Sequence, residues 1–298
     1  MPIDSIVICR ICRQEMRDPE ILHGVISPWI RDIAKVSKRF TKLVICSECS
    51  GAAFTVTYDD IQMNNLYSGY RGPMYTKKRR KYETWYSSEY NAAHESDEFV
   101  SKRADKIQEF IQEQGISEIY SILDVGGDRG QYIPNFESLS KRYVLEKSNR
   151  PLASGVTRVQ DLEELDDVDL IIYAHILEHI KDPIMEIEKL SKKARYLYVE
   201  IPFGVPEPSK LRKSRIFQLA VVSASLFPKV WAYLSIPAAG RLTSAHILRQ
   251  SEHLNFFTIK SMQVIAKQLN LDCRLRECDI PTPDLKIARV IQVFFSQK

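Results

Sequence analysis

The chain has 298 residues, of which 44% are hydrophobic and 27% are charged, and its formal net charge is +4. This is the composition of an ordinary soluble globular protein, and so mild a charge does not by itself indicate a nucleic-acid partner. The first residues lack an uninterrupted apolar segment with a small-residue cleavage site, so we expect no signal peptide. The length predicts one large domain with a small appended module.

Four of the six cysteines form two CxxC pairs within the first 60 residues. In a chain without a signal peptide, such pairs indicate metal or redox chemistry in the cytoplasm and not structural disulfides. Each pair adjoins a short apolar stretch, which suits two zinc knuckles at strand ends, whereas a redox site needs a single CxxC at a strand-to-helix turn. We therefore predict a structural Zn²⁺ site with four thiolate ligands. The predicted ligands are Cys9, Cys12, Cys46 and Cys49.

Residues 61–115 are rich in tyrosine and charge. Apolar residues recur at helical spacing over 99–111, and Gly115 marks the end of the predicted helix. The earlier part of this segment has two interpretations. It is either a solvated basic stretch beside aromatic core contacts, or a wall over a substrate pocket in which Arg71 or Arg79 binds phosphate.

From residue 116 the pattern changes to alternating strands and helices, which predicts a parallel, doubly wound sheet. Asp182 as N-cap and Pro183 in the first turn predict a helix before the last of these strands. At the C-terminal end, two strand-like segments flank the sequence PTPD and predict an antiparallel hairpin at one sheet edge. The predicted strands of the alternating region are 121–125, 142–146, 156–160, 168–174 and 195–202.

The first of these strands runs into the sequence DVGGDRG, which starts at Asp124. A glycine turn between a strand and a helix N-terminus lets the backbone approach a ligand closely. The dinucleotide pattern GxGxxG fails here, because Asp128 and Gln131 stand where it requires glycine, and a tight turn without a ligand explains this stretch equally well. Glu146, which ends the second strand 22 residues after Asp124, can accept both hydroxyls of a ribose.

Asp161 follows the third strand, and the sequence LEHIKDP at 177–183 follows the fourth. Together with the glycine turn, this succession resembles the class I S-adenosylmethionine (SAM) methyltransferases over residues 116–202 and the terminal hairpin. In that family the first loop reads (D/E)xGxGxG, the next strand ends in an acidic residue and the fourth often leads into LEHxxDP. The resemblance implies an α/β fold with a Rossmann-like, mostly parallel sheet and a C-terminal antiparallel hairpin.

The resemblance also implies a SAM site. The glycine turn would surround the methionine part, Glu146 would bind the ribose, Asp161 and Leu162 would border the adenine, and His175 would lie beneath the cofactor. Asp128 replaces the middle glycine of the family loop, and aspartate tolerates a left-handed backbone better than most residues. The implied cofactor-binding residues are Asp124, Gly126, Gly127, Gly130, Glu146, Asp161, Leu162 and His175.

These features divide the chain into a zinc-binding module at 1–60, a Tyr-rich helical linker or lid at 61–115, and a SAM methyltransferase domain at 116–298 with a helical insert at about 203–257. A double-CxxC module ahead of a SAM domain resembles bacterial sugar and polysaccharide methyltransferases. The resemblance implies methylation of a saccharide, either a nucleotide sugar or a surface-glycan precursor, with O-methylation favoured. The alternatives are a methyltransferase for another small molecule or a lipid, and a non-catalytic zinc-ribbon protein with a degenerate SAM fold.

Within the insert, residues 208–251 contain seven Lys or Arg and no Asp or Glu. Its two apolar segments are shorter than the ~20 residues of a transmembrane helix. The insert is interpreted as a lid, a homodimer face or a peripheral contact with an anionic membrane surface, so the protein is expected to be cytoplasmic or membrane-associated. We do not expect a nucleic-acid partner.

Methylation of a hydroxyl group calls for a general base, and histidine is suited to that role near neutral pH. His179 in the LEHIKDP sequence is the first candidate, followed by His253 in the sequence SEHLNFFT and then by His175. For each of them the alternative is a structural role, in which the imidazole packs or bonds the backbone without touching the acceptor.

Overall fold

The computed structural model describes residues 7–16, 19–93, 95–148, 150–204, 223, 226–227, 249–281 and 287–298. The chain forms two compact units, one of Met1–Ala92 with Gly204–Phe256 and the other of Ala93–Phe203 with Phe257–Lys298. Most of the cationic insert lies outside the described residues, and with it the predicted lid, dimer face or membrane contact. Among the described helices, none has the length and apolar character that a membrane span requires.

The elements are numbered in chain order over the described residues. The strands are β1 (Val7–Ile8), β2 (Glu15–Met16), β3 (Glu20–Ile26), β4 (Phe40–Ile45), β5 (Ala52–Phe54), β6 (Ser121–Val125), β7 (Lys141–Leu145), β8 (Thr157–Val159), β9 (Val168–Ala174), β10 (Ala194–Pro202), β11 (Arg249–Gln250), β12 (Asn255–Phe256), β13 (Leu271–Pro281) and β14 (Ile287–Gln297). The helices are α1 (Pro28–Ile33), α2 (Asp60–Tyr67), α3 (Pro73–Arg80), α4 (Ser88–Ala93), α5 (Asp97–Gln112), α6 (Pro183–Ser191) and α7 (Ile259–Gln268). Two 3₁₀ turns cover Leu162–Glu164 and Leu177–His179.

The second unit is built on a seven-stranded sheet with the order β13-β14-β10-β9-β6-β7-β8. The five strands from β10 to β8 are parallel to their neighbours, whereas β14 is antiparallel to both β10 and β13. The prediction of a mostly parallel sheet with a C-terminal antiparallel hairpin is therefore confirmed. The carboxyl ends of β6, β7, β8 and β9 consequently lie along one edge of the sheet, where α/β proteins bind their ligands.

Side chains on β9 alternate between the two faces of this sheet, as the period of a strand requires. Ile172 belongs to a buried cluster with Ile107 and Phe110 of α5, which is the apolar stripe that the sequence predicted for that helix. On the opposite face, the Tyr173 hydroxyl donates to Glu186 of α6 at 3.2 Å. Helices thus cover both faces of the central strands.

Helix α6 begins as its sequence predicts. The Asp182 carboxylate accepts a hydrogen bond from the Met185 amide at 3.2 Å, and Pro183 occupies the first turn. Ile184 and Ile187 are buried on one face of the helix. An N-cap satisfies an amide that the first helical turn leaves without a backbone partner, which fixes where the helix starts.

The connection from β6 to β7 differs from the expected strand–turn–helix arrangement. Residues 126–140 form turns and contain no α-helix. Gly130 lowers the helix propensity of this stretch, and Pro134 has no amide hydrogen to donate to a helical bond. The glycine turn of this protein is therefore followed by an extended loop, and the expected helix N-terminus is absent from this part of the chain.

The first unit contains a five-stranded sheet with the order β11-β3-β4-β5-β12. Strands β3, β4 and β5 form an antiparallel meander, and the segment 249–256 returns to add one short strand at each edge. Side-chain and backbone bonds hold this segment, including Gln250 Nε2 to the Val56 carbonyl at 2.7 Å and the Phe54 amide to the Leu254 carbonyl at 2.9 Å. Strands β11 and β12 have two residues each, which is too short to show the alternation of apolar and polar residues that predicts a strand. The sequence therefore did not predict them.

Arg79 is a core residue of the first unit. Its guanidinium donates to Glu83 at 2.6 Å and to Glu252 at 2.7 Å, and it lies over the Tyr86 ring at 4.4 Å from the centroid. Burial opposes a charge here, but the two carboxylates raise the pKa of Arg79 well above its usual value. Because these contacts occupy the guanidinium, the interpretation of Arg79 as a phosphate ligand is wrong.

A buried ion pair crosses the core of the second unit. Arg103 of α5 donates to both carboxylate oxygens of Glu200 on β10, and both residues are buried. The Tyr198 hydroxyl and the Gln292 amide donate to the same carboxylate at 2.8 and 3.2 Å. Burial by itself would raise the pKa of Glu200, but the charge of Arg103 holds that pKa well below its usual range.

Removing Arg103 is expected to destabilise the second unit strongly. Arg103→Met leaves a buried carboxylate without its guanidinium, which typically costs about 3–5 kcal/mol. Urea unfolding followed by circular dichroism measures the loss, and Lys102→Met, the adjacent exposed position on the same helix, is the matched control. We expect the control to unfold at the wild-type midpoint, and the same midpoint for Arg103→Met would show that the pair does not stabilise the fold.

Candidate functional site

The predicted cofactor residues lie at the carboxyl ends of the parallel strands. Asp124 is the last but one residue of β6, Glu146 follows β7, and His175 follows β9. Asp161 follows β8 and precedes the first 3₁₀ turn. In the sheet, β6 lies between β7 and β9, and β8 is next to β7. The four residues therefore lie at the carboxyl ends of four adjacent strands.

Asp124 is a buried carboxylate at this edge of the sheet. It is 3% exposed, and its Oδ2 atom has no hydrogen-bond partner among the described residues. Burial, reinforced by the nearby charge of Glu146, raises the pKa of Asp124 to about 8. A buried carboxyl group of this kind favours the binding of a positively charged ligand, because a cation would stabilise its ionised form.

The glycines of the loop are required by close contacts. A Cβ atom at position 127 would lie 2.0 Å from Asp124 Oδ2, so only glycine fits beside this carboxylate. Gly126 has a positive φ of +70°, and a Cβ there would lie 2.5 Å from Ile176 Cδ1. Asp128 also adopts the left-handed region, with φ +56°, so it keeps the conformation that a glycine would have at this position.

Glu146 and Asp161 both accept backbone hydrogen bonds. The Glu146 carboxylate accepts from the Asp128 amide at 3.2 Å and from the Ser148 amide at 2.8 Å, which fixes its position next to the glycine loop. Asp161 caps the following 3₁₀ turn by accepting from the Glu163 amide at 3.1 Å. Leu162 is buried directly after it. An ionised carboxylate has about four lone-pair sites, so two amide bonds leave Glu146 able to accept hydroxyl groups.

His175 lies between two buried carboxylates and has a left-handed backbone, with φ +57°. Its Nε2 is 3.0 Å from Glu200, and its Nδ1 is 3.6 Å from Glu178. Burial by itself would lower its pKa, but the interactions with Glu178 and Glu200 raise the pKa of His175 to about 9. An imidazolium with carboxylates at both nitrogens has no lone pair for a substrate proton, so this geometry argues against His175 as a base.

The other two histidine candidates belong to different units. His179 is in the second 3₁₀ turn of the second unit, where its side chain is 15% exposed and its Nε2 lies 3.9 Å from Glu178 Oε1. His253 is in the first unit, with its ring edge-on to Phe256 at a centroid distance of 6.4 Å. His179 is therefore the candidate that lies at the carboxyl edge of the parallel strands.

The four cysteines of the CxxC pairs form one cluster in the first unit. All four are buried and none forms a disulfide bond in the described part of the chain, and their sulfur atoms lie within 4.8 Å of one another. Sγ of Cys9 is 3.8 Å from Sγ of Cys49, and Sγ of Cys12 is 3.8 Å from Sγ of Cys46. A tetrahedron with Zn–S bonds of about 2.3 Å has sulfur–sulfur edges of about 3.8 Å, so these two separations match those of a four-thiolate zinc site.

The two CxxC turns have matching backbone structures. In the first, the Cys9 amide donates to the Gln14 carbonyl and the Arg13 amide donates to the Cys9 carbonyl; in the second, Cys46 pairs in the same way with Gly51 and Ser50. Arg13 and Ser50 both have a positive φ, at 55° and 58°. The two knuckles, which the sequence predicted at strand ends, follow β1 and β4.

A family model described as a methyltransferase domain matches residues 91–275. The chain belongs to this methyltransferase family. The match covers the glycine loop, Glu146 and the LEHIKDP sequence, which confirms the class I SAM methyltransferase fold and the assignment as a SAM-dependent enzyme. The alternative of a non-catalytic zinc-ribbon protein with a degenerate SAM fold is therefore dropped. A comparison with curated protein sequences gives no significant match.

Solved structures with a similar arrangement share little sequence with this methyltransferase. Magnesium protoporphyrin IX methyltransferase from Synechocystis PCC 6803, with bound SAH, is 14% identical over 78% of this chain and 100% of that one, with a TM-score of 0.44. The plantazolicin methyltransferase BpumL, with SAH and a triazolic desmethylPZN analogue, is 14% identical over 79% of this chain and 94% of that one, with a TM-score of 0.48. The N-terminal domain of EvdMO1, in the presence of SAH and D-fucose, is 12% identical over 66% of this chain and 83% of that one, with a TM-score of 0.39.

Cofactor binding is expected to release a proton from Asp124. The free carboxyl has a pKa of about 8, and SAM, which carries a net positive charge, favours its ionised form, so affinity should rise with pH up to about 8 and then level off. Calorimetric titration of SAM at pH 7 in two buffers of different ionisation enthalpy measures the release. Asp124→Asn should abolish the proton release. The control Asp272→Asn, at an exposed position of the same unit, should leave it unchanged. Equal binding heats for the wild type in both buffers would contradict this assignment.

Proposed function

We propose that this methyltransferase transfers the methyl group of SAM to a hydroxyl group of a saccharide, either a nucleotide sugar or a surface-glycan precursor. The observation that carries the proposal is the order of the modules: a four-cysteine knuckle pair precedes the methyltransferase domain. This is the organisation that resembles bacterial sugar and polysaccharide methyltransferases. A methyltransferase for another small molecule or a lipid is the alternative that the same fold allows.

The residues at the carboxyl ends of the strands fit the proposed cofactor. The loop Gly126–Gly127, which has no side chains, approaches the buried carboxylate of Asp124. The Oδ2 atom of this carboxylate has no hydrogen-bond partner among the described residues and suits a cationic ligand. Glu146 would accept the ribose hydroxyls, and Asp161 with Leu162 would border the adenine. SAM supplies a methyl group already activated by its sulfonium, so the task of the chain is to position donor and acceptor and to accept the proton.

His179 is the proposed general base for the acceptor hydroxyl. Its imidazole lies 3.9 Å from the buried carboxylate of Glu178, whose negative charge would stabilise the imidazolium formed when the base accepts a proton. His175 Nδ1 lies 3.6 Å from the same oxygen atom of Glu178. His253 is the second candidate.

We also propose that a structural Zn²⁺ joins the two knuckles. Four thiolates leave no open coordination position, so the ion would hold the fold of the module and take no part in methyl transfer. The sulfur–sulfur separations of 3.8 Å are far from the ~2.05 Å of a disulfide bond, and they match the edge length expected for a zinc–thiolate tetrahedron, which supports the proposal.

The cationic insert is proposed to meet either an anionic membrane surface or a second copy of the chain. Residues 208–251 carry seven basic and no acidic side chains, which favours a negatively charged partner. A membrane contact would suit a lipid-linked glycan acceptor in a protein that works in the cytoplasm.

One zinc ion per chain is expected, and it should depend on the cluster. Cys46→Ser removes one of the four thiolates and should lower both the zinc content and the thermal stability of the protein, because metal binding is coupled to folding. Metal analysis of the purified protein measures the content. Cys273→Ser, which lies on β13 outside the cluster, should retain the full complement, and a zinc-free wild type would contradict the proposal.

Labelled methyl groups from SAM should appear on saccharides. The assay offers nucleotide sugars and cell-envelope glycan extracts beside lipids, small phenols, RNA and protein, and scores label in each. His179→Gln should lower kcat by about 10²–10⁴ with SAM affinity unchanged, and the exposed His23→Gln on β3 is the control. Label confined to lipids or to small phenols would support the alternative, and label in RNA or protein would overturn the substrate class.

A further inference from the structure

Asp128 replaces the middle glycine of the family loop, and its side chain has a specific partner. The residue keeps the left-handed backbone, with φ +56°, although aspartate carries a Cβ atom. Its side chain is 12% exposed, and its Oδ2 accepts a hydrogen bond from Arg150 Nη1 at 2.6 Å. The substitution therefore adds a carboxylate to the cofactor loop without altering the turn, and Arg150 binds that carboxylate.

Arg150 uses its second nitrogen to bind another carboxylate. Nη2 donates to Glu95, which lies just before α5, and the same carboxylate is 3.4 Å from Arg129 Nη1. Asp128, Arg150, Glu95 and Arg129 thus form a chain of alternating charges, called the ion chain below. It joins three segments that are distant in sequence: the entrance to α5, the cofactor loop and the stretch after β7.

Further hydrogen bonds connect the same segments. The Arg129 carbonyl accepts from the Ala153 amide at 2.9 Å, and Arg129 Nε donates to the Pro151 carbonyl at 2.8 Å. The Asp128 amide donates to Glu146, the proposed ribose ligand. The ion chain is therefore connected, through the Asp128 backbone, to the residue that would bind the ribose of SAM.

We propose that Arg150 is a positioning residue for the cofactor: bound by Asp128 and Glu95, it fixes the glycine loop and Glu146 in the conformation that binds SAM. The proposal rests on the proposed SAM site. The side chains of Arg150 and Glu95 are 25% and 28% exposed, so their interaction is less screened than that of a surface pair. A guanidinium also presents its donors in a rigid fork, which lets one residue hold two carboxylates at once.

The test measures SAM and SAH affinity by calorimetry in the full-length protein. Arg150→Gln breaks both contacts, and we expect its affinity to fall about 5- to 30-fold, which corresponds to about 1–2 kcal/mol. Arg150→Lys, whose ammonium cannot reproduce the fork, should fall between Gln and wild type. The control is Arg142→Gln, an arginine of β7 that bonds Asn135 and lies outside the ion chain, and it should bind as the wild type does.

Substitutions at Asp128 separate the backbone from the charge. Asp128→Gly keeps the left-handed turn and loses the carboxylate, so we expect SAM affinity to fall less than threefold. Asp128→Ala loses the carboxylate and also strains the turn, so it should bind more weakly than the glycine variant. If Arg150 acts through Asp128, the effect of Arg150→Gln must shrink in the Asp128→Asn background, and fully additive effects would overturn the coupling.

A second readout does not depend on the cofactor. In the ligand-free protein, Arg150→Gln should speed the hydrogen exchange of amides in 126–131, including that of Asp128, while Arg142→Gln should not. If the wild type fails to bind SAM, the proposed site is wrong, and the exchange experiment still decides whether the ion chain orders the loop. The inference would be overturned if the Arg150→Gln variant bound SAM as tightly as the wild type and its amides in 126–131 exchanged at the wild-type rate.

Discussion

Burial of carboxylates at one edge of the parallel sheet is the constraint on which the functional part of this methyltransferase depends. Asp124, Glu178 and Glu200 are all nearly inaccessible to water, and a buried anion is costly unless a cation or several donors compensate it. Glu200 has Arg103 and His175, and Glu178 faces His175. Burial instead raises the pKa of Asp124, and its Oδ2 atom has no hydrogen-bond partner among the described residues, which suits the proposed position next to a positively charged cofactor.

The same constraint separates the roles of the histidines. A histidine between two buried carboxylates is held as an imidazolium, so His175 stabilises the edge of the sheet and is unsuited to accept a proton. His179 lies four residues later, and its Nε2 is 3.9 Å from Glu178 Oε1. The geometry thus gives His175 the role of charge compensation, while the role of His179 as a base remains a proposal, although both belong to a single short stretch of sequence after β9.

The module that contains the four cysteines depends on a segment that returns from later in the chain. Its two knuckles are built from residues 9–14 and 46–51, and the second follows β4, whose five-stranded sheet is completed by short strands from 249–256. Arg79, with Glu83 and Glu252, anchors the returning segment within an aromatic core. The module is therefore discontinuous in sequence, and the cationic insert is the connection that brings the chain back to it.

The sequence by itself determined the strands β6 to β10, the capped helix α6, the terminal hairpin and the four cysteines, because each depends on local periodicity, capping or residue spacing. It also placed Asp124, Glu146 and Asp161 at the carboxyl ends of β6, β7 and β8, since the family pattern is short and contiguous. Only the tertiary structure decided that Arg79 is a core residue, that His175 is held between carboxylates and that Asp128 binds Arg150. Arg150 binds Asp128 from 22 positions away and Glu252 binds Arg79 from 173 positions away, while His175 contacts both the nearby Glu178 and the distant Glu200. No local pattern encodes which buried charge meets which partner.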